Sequence, residues 1–173
     1  EATSYPPGEP PRHVVLVDDV SVTVQQGRVL GLIGESGAGK STIGLSAMSY
    51  ARGGARLASG QILLNGRDIR TAGPGDLRQL RGHEVTYVAQ SAAAAFNPAK
   101  RLMEQVIETS LHHKLMTRAE AEARAVDLFR KLGLPNPDTF GSRYPHQVSG
   151  GQLQRAMTAM ALCPKPDLVI FDE

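Results

Sequence analysis

The spacing of apolar residues changes along the chain, and the change predicts where strands give way to helices. In the first ninety or so residues the apolar positions come in short β-branched runs. Val14–Val17, Val20–Val24 and Val29–Ile33 predict strands, with Gln26-Gly27 turning between the last two. Gln61–Leu64 and Arg67–Ile69 predict a hairpin, because Asn65-Gly66 between them suits the two successive positive φ angles of a type I′ turn. Val85–Val88 predicts a further strand. Tyr5–Pro11 carries four prolines and a glycine, which predicts a loop.

From Lys100 the period lengthens to that of a helix. Leu102, Val106, Ile107 and Leu111 fall on one face. Thr117 opens a second helix, with Glu120 placed to complete a capping box. Ala125, Leu128, Phe129 and Leu132 follow at i, i+3, i+4 and i+7, and Gly133 stands where a helix-ending glycine belongs. Ser149 opens a third helix with Gln152 at the matching position. Leu153, Ala156, Met157 and Met160 line one side of it, and Pro164 ends it. Asp167–Phe171 is a continuous apolar run of the kind that forms a strand buried on both faces. No internal repeat appears, and Ala92–Ala95 is the one low-complexity stretch.

Composition narrows the class. The 173 residues fit one ordinary domain, and 41% hydrophobic with 21% charged residues is globular. The net charge is only +2 with scattered basic residues, which argues against nucleic acid as a partner. Aromatics at 5% supply no base-stacking platform. A single cysteine, Cys163, forms no intrachain disulfide and fits a reducing compartment. No apolar run approaches the ~20 residues that span a bilayer, so a membrane role is expected to come through a partner. The chain starts at Glu1 without a signal-peptide pattern and ends at Glu173 without a cap, so both ends read as cuts.

Chemistry concentrates in three places. Gly34-Glu35-Ser36-Gly37-Ala38-Gly39-Lys40-Ser41, followed by Thr42, has the spacing of a phosphate-binding loop between a strand and a helix that runs from Ser41 to about Ser49. Glycines let backbone amides turn inward around phosphate oxygens, and the helix start adds its positive dipole end. Lys40 would reach the terminal phosphates, and the Ser41 hydroxyl would ligate Mg²⁺. Asp172 and Glu173 end an apolar strand. The first is suited to hold Mg²⁺ through water, and the second to activate a water molecule. Ser149-Gly150-Gly151-Gln152 gives a second helix start with bare amides and a hydroxyl. An ordinary capping box with flexible glycines would show the same residues.

Taken together these motifs resemble the ABC ATPase family, whose signature reads Leu-Ser-Gly-Gly-Gln; Val148 stands here for the leucine. The resemblance reaches nearly the whole chain. Gln90 matches the glutamine that senses Mg²⁺ and faces the transmembrane partner. Phe96-Asn97-Pro98 with Arg101-Leu102-Met103, and Tyr144-Pro145-His146 before the signature, are similar to the dipeptide, oligopeptide and nickel importer branch. Gln147 departs from that branch's glutamate. Tyr5, with His13 as the weaker candidate, is the expected adenine-stacking residue. His112 and His113 lack ligand spacing and read as surface residues.

The implied fold is α/β: a P-loop NTPase core with an ABC-type antiparallel β subdomain and an α-helical signature subdomain, C-terminally incomplete. The expected divisions are a loop at 1–12, the β subdomain and P-loop core at 13–90, the helical subdomain at 91–163 and the acidic strand at 164–173. The resemblance implies ATP and Mg²⁺ as ligands and a head-to-tail pair with a second ATP-binding subunit. It further implies transmembrane permease subunits, indirectly a solute-binding protein, and a place on the cytoplasmic face of the inner membrane. In the family, Glu173 is followed by further parts, among them a histidine that contacts the γ-phosphate. The stretch ending at Glu173 is therefore expected to bind nucleotide weakly and not to turn over ATP. A soluble ABC ATPase of DNA repair or translation, and a non-catalytic nucleotide-binding module, stand as alternatives.

Overall fold

The computed structural model describes residues 1–4, 10 and 12–172. The chain divides into two compact units, Glu1–Leu77 and Arg78–Glu173, each taken here by itself.

In the first unit, β1 (Ala2–Ser4) pairs antiparallel with β2 (Arg12–Val14), so the opening stretch expected to be loop holds a strand. The N-terminal ammonium donates to the Arg56 carbonyl at 3.0 Å, and the Arg56 guanidinium meets the Glu1 carboxylate at 2.9 Å. The next element is α1 (Lys40–Ser46), shorter than the expected run to Ser49. The predicted hairpin is present: β3 (Leu63–Leu64) and β4 (Arg67–Asp68) pair across Asn65 at φ 50° and Gly66 at φ 78°. Those two positive angles are what the type I′ turn requires.

The strands expected at Val14–Val17, Val20–Val24 and Val29–Ile33 do not form beyond Val14. A strand exists only through its ladder, and among the described residues none pairs with 15–38. Val29 is 98% and Ile33 100% exposed, so the β-branched residues that signalled strands lie uncovered. Only the turn survives, with Arg28 N donating to Gln25 O at 3.0 Å. β-propensity expresses fitness for a half-buried pleat, and without neighbours it specifies nothing.

The second unit has a well-packed core. After α2 (Pro74–Leu80) comes β5 (Val85–Val88), then α3 (Ala92–Ala95), α4 (Leu102–His112), α5 (Arg118–Lys131) and α6 (Pro137–Phe140). A 3₁₀ turn (Pro145–Gln147), α7 (Gly150–Leu162) and β6 (Leu168–Phe171) complete it. β5 and β6 are parallel, with Val85 opposite Leu168 and Val88 opposite Phe171. Parallel strands require a long crossover, and the helices supply it.

Leu102, Val106, Ile107, Ala125, Phe129, Ala156 and Met157 are buried as the helical period predicts, and Phe140 joins them. Phe129 meets Phe140 edge-on, ring centres 5.1 Å apart. The Thr117–Glu120 capping box closes as expected. At the far end of α5, Leu134 N donates to Phe129 O and Gly133 N to Arg130 O, with Gly133 at φ 66°, a Schellman ending. Two arginines tie α5 and α7 together. Arg155 of α7 donates to the carbonyls of Leu132 (3.2 Å) and Gly133 (2.8 Å), and Arg124 of α5 donates to those of Cys163 (2.8 Å) and Leu162 (2.9 Å). Each satisfies carbonyls that the other helix leaves orphaned at its C-terminus. Burial pushes the thiol of Cys163 up, so it serves packing.

β6 departs from expectation. It is half-buried, with Phe171 59% exposed, whereas the apolar run suggested burial on both faces. Among the described residues β6 pairs only with β5, so one edge carries no strand. No helix among the described residues is long and apolar enough to cross a membrane.

Candidate functional site

In the first unit, residues 34–42 form one continuous loop into α1. Gly37 (φ 84°) and Gly39 (φ 88°) take the left-handed conformation that turns successive amides to one side. A side chain at Gly39 would also bring its Cβ to 3.0 Å from Val17 Cγ2. Ala38 N donates to Glu35 O at 3.1 Å, which closes the loop around Ser36. Lys40 Nζ donates to the carbonyls of Gly34 (2.7 Å) and Glu35 (2.8 Å). The ammonium thus bends back over its own loop. Gly39 caps α1 with no side-chain hydrogen bond. Ser41 and Thr42 are half-buried in the first turn, and Ser46 Oγ donates to Thr42 O at 2.7 Å.

In the second unit, Ser149 caps α7. Gln152 N donates to Ser149 Oγ (3.2 Å) and Ser149 N donates to Gln152 Oε1 (3.0 Å), the reciprocal box expected of those residues. Gly150 and Gly151 have no positive φ, and a Cβ on either would meet nothing within 4 Å. The start of α7 is open.

Asp172 follows β6, and its amide donates to Val88 O at 2.9 Å. The parallel register brings both strands out at one end, so Gln90, two residues past β5, leaves from the same edge as Asp172. Gln90 is exposed. Tyr5 and Glu173 lie outside the described residues.

Two residues, Tyr87 and Gln105, escaped the sequence reading. The Tyr87 hydroxyl donates to Asp172 Oδ2 and holds the carboxylate at the strand end. Strand pairing across 85 residues of chain is needed to see this. Gln105, 6% exposed, accepts from Asn97 N (2.7 Å) and donates to the carbonyls of Asn97 (3.1 Å) and Lys100 (3.0 Å). A polar residue interrupting the apolar face of α4 was the available signal. Arg101 lies over the Tyr144 ring at 5.5 Å. His113 stands 5.2 Å from His112 and 6.2 Å from His83, ring centre to ring centre. Burial first, then these two neighbours, hold its imidazole below the ordinary value.

With this geometry in hand, comparison with known proteins is informative. Residues 17–173 match the sequence model of the family described as ABC transporter. The probable D,D-dipeptide transport ATP-binding protein DdpD of Escherichia coli K12 is 38% identical over 158 residues, covering 91% of this chain and 48% of that protein. The oligopeptide transport ATP-binding protein AppD of Bacillus subtilis 168 is 37% identical with the same coverage. The chain thus spans about half the length of these curated relatives. Among solved structures, the post-hydrolysis dimer of the ATP-binding cassette MJ0796 with ADP and Pi superposes with TM-score 0.80 at 22% identity, covering 98% of this chain and 70% of that one. An ATP-binding subunit of an ABC transporter gives TM-score 0.72 at 28% identity, covering 91% and 60%.

Proposed function

The chain belongs to the ABC transporter family and has the α/β P-loop fold of its ATP-binding cassettes, and from that premise we propose that the full-length protein binds and hydrolyses ATP to power import of peptides or similar small solutes. The cargo class rests on the relatives named for dipeptide and oligopeptide transport.

The observation that carries the reading is the open start of α7. Among the described residues nothing requires glycine at 150 or 151, because an added Cβ at either would meet no atom within 4 Å and neither has a positive φ. Glycine also weakens a helix by about 1 kcal/mol relative to alanine. Two of them at bare helix amides suit the close approach of an anion supplied from outside the chain. A second subunit presenting ATP on its own phosphate loop fits that description, and the MJ0796 cassette is dimeric in its solved structures.

Within such a pair, residues 34–42 cradle the phosphates while Lys40 exchanges the carbonyls of Gly34 and Glu35 for phosphate oxygens. By the family resemblance, Ser41 in the first unit and Asp172 and Gln90 in the second each carry an oxygen donor of the kind that suits Mg²⁺, a hard cation. When bound, the metal would neutralise charge on the phosphates. Glu173 takes the proton of the attacking water. Gln90 and the exposed part of the Phe96–Met103 segment, residues 97–101, would face permease subunits, with the protein peripheral on the cytoplasmic side of the membrane and a solute-binding protein acting indirectly.

Gly151→Asp separates folding from function. A carboxylate in the first turn of α7 favours the helix dipole, so the fold is kept. The same charge repels phosphate. ATP-dependent association of the full-length protein, followed by size-exclusion chromatography, should disappear while its melting temperature holds. Association at the wild-type level would refute the shared-phosphate reading.

A further inference from the structure

Two stretches flanking the helical core meet in the second unit. Arg101 Nη1 donates to the Ser142 carbonyl at 3.0 Å. The amides of Leu102 and Met103 donate to the carbonyls of Arg143 and Gly141, both at 2.9 Å. The approach is tight, since a Cβ on Gly141 would fall 2.8 Å from Met103. Beside these bonds the Arg101 guanidinium lies over Tyr144, and the Tyr144 ring stacks on His146 at 5.6 Å and 11°.

The contacts continue in both directions. Toward the N-terminus, Gln105 fixes Asn97 and Lys100. Toward the C-terminus, Tyr144 N donates to Gln147 Oε1, and Gln147 N donates back to Tyr144 O, both at 2.9 Å. Contacts therefore run from Asn97 as far as Gln147 within the second unit, and Ser149, the cap of α7, lies two residues further along the chain. Beside those backbone bonds the middle of this run carries a half-exposed stack of flat groups, whose contact costs less to break and re-form than buried packing does.

We infer that the Arg101–Tyr144–His146 stack is the joint that passes displacement of the Asn97–Arg101 segment to Ser149, making Arg101 and Tyr144 positioning residues for permease coupling and not for basal ATP turnover. This rests on the reading of the chain as a membrane-coupled ATPase. An exposed cation–π contact can carry coupling no larger than its own strength, which corresponds to about a two- to fivefold effect.

The test uses the full-length subunit, alone and assembled with its permease subunits in proteoliposomes, with ATP turnover as readout. Tyr144→Leu removes the ring face and should lower permease stimulation about two- to fivefold, with the KM for ATP and permease-free turnover unchanged. Tyr144→Phe keeps the face and should keep the stimulation. Arg101→Lys keeps charge without the planar fork and should fall with Tyr144→Leu. Wild-type stimulation in Tyr144→Leu overturns the joint, as does equal damage in Tyr144→Phe or a parallel loss of permease-free turnover. A wild-type protein that its permease does not stimulate overturns the importer reading itself, and the joint with it.

Discussion

Gln105→Leu isolates what one buried amide does for the segment after Gln90. The side chain is 6% exposed and makes three well-formed hydrogen bonds, at 2.7, 3.0 and 3.1 Å, to the backbone of Asn97 and Lys100. A fourth contact, to Arg101 O at 3.4 Å, is marginal. Leucine is close in size and belongs to an apolar helix face, so the helix and core should tolerate it. Each lost bond is worth about 0.5–1.5 kcal/mol net. Asn97 is itself exposed, so its released amide meets water, and the penalty of a buried unsatisfied donor does not arise. Three bonds then amount to about 1.5–4.5 kcal/mol of local order, enough to raise hydrogen exchange at the Asn97 amide roughly 10- to 2,000-fold. Amides deep in α4 and α7 should exchange as before. Glutamate at the same position should fare worse, because it can accept from Asn97 but turns a carboxylate toward two carbonyls. Unchanged exchange at Asn97 in Gln105→Leu would show that Pro98 and the Asn97 turn hold the segment unaided, and would refute the clamp.

Further outcomes follow from the same structure. Phe129→Ala empties a fully buried site against Phe140 and should cost about 3–5 kcal/mol by urea denaturation; a loss under about 1 kcal/mol would mean this core is not shared. His113 is held low by burial, with His112 and His83 adding to it, while the Arg81 carbonyl opposes the shift. The native state therefore binds fewer protons there than the unfolded chain, so stability is full above the ordinary imidazole value and declines as pH falls through the lowered one. His113→Gln should flatten that part of the pH–stability curve, and a curve of unchanged slope would assign it to other groups.

What could be read from sequence depended on how local the determining physics is. The helical unit was legible because helix periodicity, the Thr117 and Ser149 boxes and the Gly133 ending all lie within a few residues of one another. The Asn65-Gly66 turn was legible for the same reason. Strands are another matter. Val85–Val88 appeared as expected because Leu168–Phe171 pairs with it, whereas Val20–Val24 and Val29–Ile33 have the same composition and no described partner. At the site, the phosphate loop and the Ser149 helix start announced themselves as contiguous motifs. Tyr87 and Gln105 did not, since their roles arise from residues brought together by folding, and a lone tyrosine or glutamine has no local signature.

The reciprocal arginines of α5 and α7 have a mechanical consequence. Because Arg155 binds the tail of α5 while Arg124 binds the tail of α7, sliding one helix along the other would strip four carbonyl bonds at both ends together. Shear between the two helices is therefore resisted at both ends at once, and the pair favours moving as a block that carries Ser149, the cap of α7, with it.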